Sequence, residues 1–194
     1  MNFLAHLHLS GDEPLVMVGN FMADAVKGRD LSAHHPLVQK GIRRHRRIDS
    51  FTDQHPITAV GRERVRAHCG KYAGVALDLF YDHLLASEWE RHREEPLSAF
   101  AQRCYVLLQR EQGRLPERTR DMLPYLVKGD WLASYATITG IGKALHGLSK
   151  RAYHAEALNG AESVLHEHID VYRGEFRTFL AELVEHIRAV DNEG

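Results

Sequence analysis

The segment Gly41-Ile42-Arg43-Arg44-His45-Arg46-Arg47-Ile48-Asp49-Ser50-Phe51-Thr52-Asp53 gathers one histidine, two aspartates and four arginines. If it is helical, His45, Asp49 and Asp53 fall within about 80° of one another at 100° per residue. An imidazole and a carboxylate at i and i+4 project in nearly the same direction and can share one cation. The arginines suit a phosphate. Together these residue types point to metal-assisted phosphoester hydrolysis. The competing reading is a solvated helix laced with Arg–Asp pairs, for example Arg46 with Asp49 or Asp53.

A second constellation shifts the balance toward a metal. Asp78, Asp82 and His83 lie within Ala76-Leu77-Asp78-Leu79-Phe80-Tyr81-Asp82-His83-Leu84-Leu85. Asp78 and Asp82 are i,i+4 neighbours among large apolar residues, where an unpaired carboxylate costs several kcal/mol and tends to neutralise. A cation or an arginine must compensate them. Asn20 and Asp24 form a third i,i+4 pair, with Asp24 on an otherwise apolar stretch. His6 and His8 interrupt the apolar opening of the chain and read, by spacing alone, as core histidines. The arginines divide by angle. Arg43 and Arg47 point about 160° away from His45, whereas Arg46 lies near Asp49 on the helical wheel. Arg62, Arg64 and Arg66 continue the basic character, either as a solvated face or as a docking patch for an acidic protein.

The elements that must position these residues are helices; strand signals are nearly absent. Leu15 to Lys27 reads as a helix stopped by Gly28. The next runs from Pro36 to about Asp53, ahead of Pro56, and the following one spans Ile57 to His68. Gly74 to Arg91 carries the second constellation. Ser98 reads as an N-cap for a helix to about Gln112. Residues 117–128 form a short helix disturbed by Pro124, and 130–147 another weakened by Gly140 and Gly142. A long C-terminal helix shows apolar residues from Leu158 to Ile187 at spacings of three or four. The expectation is a compact all-α bundle of roughly seven to nine helices, one domain over residues 1–194.

Composition sets the outer bounds. At 194 residues, with 44% hydrophobic and 26% charged residues, the chain can bury one sizeable core. A formal net charge of -1 argues against a generally basic nucleic-acid binder, so attraction to a polyanion must be local. Cys69 and Cys104 form no CxxC unit, which fits a reducing cytoplasm. No apolar run reaches the length of a membrane span, and the opening segment lacks the basic n-region of a signal peptide. A cytoplasmic location is expected.

With these residues assembled, the chain resembles the acyl carrier protein phosphodiesterases. The matching blocks are Met1-Asn2-Phe3-Leu4-Ala5-His6-Leu7-His8-Leu9, Gly19-Asn20-Phe21-Met22-Ala23-Asp24, Gly41-Ile42, His45-Arg46-Arg47-Ile48-Asp49, Thr52-Asp53, Leu77-Asp78 and Tyr81-Asp82-His83. They cover most of the first 90 residues. The resemblance implies an HD-domain-like helical fold, since Asp82-His83 is similar to the adjacent His and Asp of HD phosphohydrolases with the order inverted. It favours His6 over His8 as a site residue. It further implies removal of the 4′-phosphopantetheine arm from holo-acyl carrier protein by a water acting with a divalent cation, Mn²⁺ before Mg²⁺ or Fe²⁺.

On that basis the expected metal ligands are Asp24, His45, Asp49, Asp78, Asp82 and His83, more than one ion requires. Asp24, Arg46 and Asp53 are the expected catalytic groups, with Arg46 stabilising phosphoryl charge. Arg43, Arg47, Arg62, Arg64 and Arg66 are the expected contacts for the carrier. Two other functions use the same residues differently. An HD-like hydrolase of a small nucleotide phosphate would keep the metal shell, whereas a non-catalytic helical module binding an acidic protein would use the carboxylates only as ion-pair partners.

Overall fold

Prolines open three of the helices that matter most. The computed structural model describes residues 1–192, in which Pro14, Pro36 and Pro56 begin α2 (Pro14–Met22), α3 (Pro36–Gln54) and α4 (Pro56–Cys69). Proline suits a first helical position because its missing N–H would have had no partner there. His35 and His55 precede two of these prolines in extended backbone, and each side chain accepts a hydrogen bond from the backbone N–H two residues on. α3 therefore ends where the His55-Pro56 step requires it.

The remaining helices are α1 (Phe3–His8), α5 (Ala73–Ser87), α6 (Leu97–Arg110), α7 (Glu117–Lys128), α8 (Trp131–Ser134), α9 (Ile138–Arg151), α10 (Glu162–Glu167) and α11 (Ile169–Asn192). Among the described residues this makes eleven α-helices, more than expected, and the excess comes from breaks inside longer segments. The 130–147 segment divides because Thr137 turns extended and its hydroxyl caps the N–H of Gly140, starting α9 afresh. The C-terminal pattern divides likewise, with Leu158 on a short 3-10 turn before α10 and α11. Ser98 lies inside α6 rather than capping it, since Leu97 already follows Pro96 into the helix. Pro124 sits within α7 without ending it.

α2 and α3 cross with their backbones in contact. A Cβ on Gly19 would lie 2.1 Å from the carbonyl oxygen of Val38, and one on Gly41 would lie 2.1 Å from that of Val16. Only glycine permits this approach, which lets side chains of α3 reach backbone atoms of α2. α5 is the most enclosed helix, with Leu77, Phe80, Tyr81, Leu84 and Leu85 essentially inaccessible. Phe176 and Phe179 of α11 pack on Tyr81, and Tyr172 packs on Phe80. α1 lies against α2 and α5 and buries Leu4, Ala5 and Leu7 completely. No helix among the described residues is long and apolar enough to cross a membrane.

Candidate active site at the junction of α1, α2 and α3

α1 is too short to hold itself in place; isolated helices of its length are marginal in water. Its first residues are fixed from α5. Asp82 is fully buried and accepts the backbone N–H of Leu4 at 2.8 Å on Oδ2 and that of Ala5 at 3.1 Å on Oδ1. Both oxygens thus satisfy otherwise orphaned N–H groups at the positive end of a helix dipole, a cap that Asn2 does not provide. Burial pushes the Asp82 carboxyl up to about 7, against the two N–H donors that favour its ionised form. This anchor delivers His6, the next residue, to the α2–α3 crossing.

There a single asparagine meets two imidazoles. Asn20 is inaccessible to solvent, and its Oδ1 lies 2.9 Å from His6 Nδ1 and 3.1 Å from His45 Nδ1. His45 Nδ1 is also 2.8 Å from the backbone carbonyl of Asn20. On the far side of the rings, His6 Nε2 approaches Asp49 Oδ1 at 3.1 Å. His45 Nε2 approaches Asp49 Oδ2 at 3.0 Å and Asp24 Oδ1 at 3.1 Å. His6 Nε2 is buried and is not directed at Asp49 for a hydrogen bond, so it is an unsatisfied nitrogen facing a carboxylate.

The charges of the metal-free cluster follow from these contacts. Burial pushes His6 down to about 4 despite Asp49. Burial also acts to lower His45, but Asp24 and Asp49 outweigh it and raise His45 to about 9. Burial acts to raise Asp49, yet His45 and His6 hold it well below the usual carboxylate range. The hydrogen bond to His45 likewise holds Asp24 low.

His6, His45 and Asp49 offer ligand atoms that all lie within 4.8 Å of one another. The donors are two nitrogens and carboxylate oxygens, a set that suits a hard or borderline divalent cation. Beside the cluster opens a cavity of about 170 Å³, lined by Met1, Asp24, Asp49, Thr52, Asp53 and Asp78.

The first 183 residues match the acyl carrier protein phosphodiesterase family profile, which covers the helices that build this cluster. The chain belongs to that family. It is 31% identical over 186 residues to the acyl carrier protein phosphodiesterase of Photorhabdus laumondii, covering 95% of this chain and 94% of the relative. It is 34% identical over 191 residues to that of Escherichia coli O6:H1, covering 95% and 96%. The corresponding Yersinia pestis protein is 31% identical over 180 residues, covering 92% and 93%. No solved structure matches it.

Within this family member, the structure brings together only part of the expected site. Asp24, His45 and Asp49 converge as described. Asp24 does so from a 3-10 turn after α2 rather than from mid-helix, with its side chain 81% exposed. Asp78 stands at the cavity wall, 3.1 Å from the amino nitrogen of Met1, which is also 3.7 Å from Asp49. Burial raises the Asp78 carboxyl, and the Met1 amine opposes that rise. Asp53 borders the cavity but pairs with Arg62 at 3.1 Å.

Asp82 and His83 are not brought to the cluster. Asp82 spends both oxygens on α1, and His83 points elsewhere, its Nδ1 2.8 Å from the carbonyl of Tyr135. Their partners on α1 and at Tyr135 draw the two side chains apart. Arg46 is also redirected: its Nη2 donates to the carbonyls of Val26 at 3.1 Å and Gly28 at 2.8 Å, tethering the segment that follows Asp24. Of the expected docking arginines, Arg62, Arg64 and Arg66 pair with Asp53, Glu175 and Glu63. Arg43 donates to the neutral Gln39, and Arg47 is exposed with no carboxylate partner among the described residues. Spacing alone missed His6 and Asn20. The i,i+4 pairing of Asn20 with Asp24 was the available signal, and the one local mark of His6, an imidazole on an apolar segment, is shared by His8.

Proposed function

We propose that this protein hydrolyses the phosphodiester joining 4′-phosphopantetheine to the serine of holo-acyl carrier protein, with a divalent cation held by His6, His45, Asp49 and Asp24. The observation that carries the metal is the convergence of two imidazole Nε2 atoms and two carboxylates, with each Nδ1 already engaged by Asn20. A neutral imidazole whose Nδ1 is protonated presents only a lone pair at Nε2. Lone pairs facing carboxylate oxygens at about 3 Å repel unless a proton or a cation lies between them. When bound, a divalent ion supplies charge to the phosphoryl oxygens and lowers the pKa of water.

The chain's own residues do the rest. Asp24, exposed at the mouth, and Asp49, beneath it, present carboxylate to the same face. Asp53 and Asp78 line the same cavity, where they can orient the attacking water and accept its proton. Arg46 acts at a distance, fixing the Val26–Gly28 backbone and hence Asp24. Arg43 and Arg47, on the exposed face of α3, supply the positive surface for the acidic carrier. Manganese is the expected ion, with Mg²⁺ or Fe²⁺ as substitutes, and the protein acts in the cytoplasm.

The test is the intact mass of holo-acyl carrier protein before and after incubation with the protein and Mn²⁺. Loss of the phosphopantetheine mass, prevented by chelation, is the expected result. Turnover of small nucleotide phosphates with the carrier left intact would overturn the assignment.

A further inference from the structure

We propose that Asn20 is a positioning residue: its one carboxamide commits both His6 and His45 to the tautomer protonated at Nδ1. The orientation of the amide is forced. Asn20 Nδ2 donates to the carbonyl of His6 at 2.8 Å and to Ser10 Oγ at 2.8 Å. The Ser10 hydroxyl spends its only proton on the same His6 carbonyl, at 2.7 Å, so Ser10 Oγ can only accept from Asn20. Flipping the amide would set Oδ1 against the His6 carbonyl oxygen. Oδ1 must therefore face the imidazoles.

It then accepts from both. Its two lone pairs meet His6 Nδ1 at 2.9 Å and His45 Nδ1 at 3.1 Å, and the Asn20 main-chain carbonyl takes a second share of the His45 proton at 2.8 Å. The other tautomer of either ring would point a nitrogen lone pair at these buried oxygens; for His6 the only group to gain in exchange is the Asp49 carboxylate 3.1 Å from Nε2, which the ring does not meet with hydrogen-bond geometry. The stacking of the rings follows from this shared acceptor, and so does the direction of both Nε2 atoms. Such outer partners of a metal-ligating histidine fix its tautomer and orientation. The assignment rests on the cation reading above only for its purpose, because the hydrogen bonds exist without an ion.

The experiment is ¹⁵N imidazole NMR of histidine-labelled protein, first without metal and then with Mg²⁺, joined to calorimetric Mn²⁺ titration. In the metal-free wild type, His6 is expected to show a protonated Nδ1 and an unprotonated Nε2. A protonated Nε2 on neutral His6 would overturn the proposal. With Mg²⁺ bound, His45 is expected to show the same pattern. Asn20→Ala should release the tautomers into a mixture and weaken Mn²⁺ by about 10–100-fold. Wild-type tautomers with wild-type affinity in that variant would again overturn it. If Asn20→Ala does not fold, Ser10→Ala carries the test, since it removes one of the two anchors of the amide; it should show a partial mixture and a smaller loss of affinity, and unchanged values for both would count against the proposal. A wild type with the expected His6 tautomer but no affinity for Mn²⁺ would overturn the cation reading and leave the role of Asn20 standing.

Discussion

The imidazoles of His6 and His45 lie as parallel plates, their centroids 3.9 Å apart and their planes 14° from coplanar. Two charged rings could not share that space. Burial settles which one stays neutral: His6 is held down to about 4, while the carboxylates of Asp24 and Asp49 raise His45 to about 9. Near neutral pH the metal-free cluster therefore carries its proton on His45. On the proposed reading, a cation bound there would take the place of that proton and release it.

This exchange predicts a stability profile. Unfolded His45 titrates near 6.5, and folded metal-free His45 near 9. The stabilisation from the imidazolium is complete below about pH 6.5 and is lost as the pH rises through about 9. Saturating Mg²⁺ should remove that loss, because the ion favours the neutral ring. Thermal melts from pH 6 to 10, with and without Mg²⁺, measure it. A flat metal-free profile over this range would contradict the paired His45.

The three histidines that sequence spacing weighed so differently should separate cleanly on substitution. His6→Ala and His45→Ala should each weaken Mn²⁺ by more than about 100-fold, beyond the loss typical of an outer partner. His83→Ala removes a buried hydrogen bond to the Tyr135 carbonyl, about 1 kcal/mol, and should lower the melting temperature by a few degrees with kcat unchanged. Asp82→Ala uncaps α1 at a cost of about 1–2 kcal/mol and should depress melting temperature and activity together. Calorimetric Mn²⁺ titration beside melting curves separates the three behaviours.

What the sequence made legible was what lies within one helix. His45 and Asp49 share a face of α3 because 3.6-residue periodicity puts them there, and the structure keeps that pair. The Pro56 boundary and the long C-terminal amphipathic pattern were readable for the same local reason. What crosses between helices was not. Asp78 and Asp82 carry the same kind of signal, a carboxylate among apolar residues, yet Asp82 caps α1 and Asp78 stands at the cavity wall. The difference is set by the α1–α5 packing, which no spacing within α5 encodes. His6 gave no signal that set it apart from His8, because its role depends on an asparagine from another helix.

The Gly19–Gly41 contact should tolerate no side chain. Gly41→Ala would place a Cβ 2.1 Å from the Val16 carbonyl oxygen, and backbone cannot swing aside as a flexible side chain does. α2 and α3 must separate, which should cost at least the 1–3 kcal/mol typical of overpacking, or about 2–12 °C in melting temperature. The same shift pulls Asn20 away from His45, so Mn²⁺ affinity should fall as well. Gly174→Ala, inside α11 where an added Cβ meets nothing, is the control: it should leave Mn²⁺ affinity unchanged and raise stability by up to about 1 kcal/mol, the usual gain of alanine over glycine within a helix.

The arginines should fall into three groups. Arg64 forms two hydrogen bonds with Glu175, at 2.6 and 2.8 Å, and its guanidinium lies over the Tyr172 ring. Arg64→Ala should therefore lower stability by about 1 kcal/mol and leave KM for the carrier nearly unchanged. Arg46 ties the Val26 and Gly28 carbonyls, so Arg46→Ala should free Asp24 and reduce kcat and Mn²⁺ affinity together. Arg47 is exposed and, among the described residues, has no carboxylate partner, while Arg43 donates to neutral Gln39. Replacing either with Ala should raise KM several-fold with kcat preserved, and should flatten the rise of KM with salt, because exposed charges act through a screened attraction. Steady-state kinetics with holo-acyl carrier protein at low and high ionic strength distinguishes the groups. If Arg43→Ala and Arg47→Ala kept wild-type KM and salt dependence, the carrier would have to dock on another face, and the exposed side of α3 would be no more than a solvated surface.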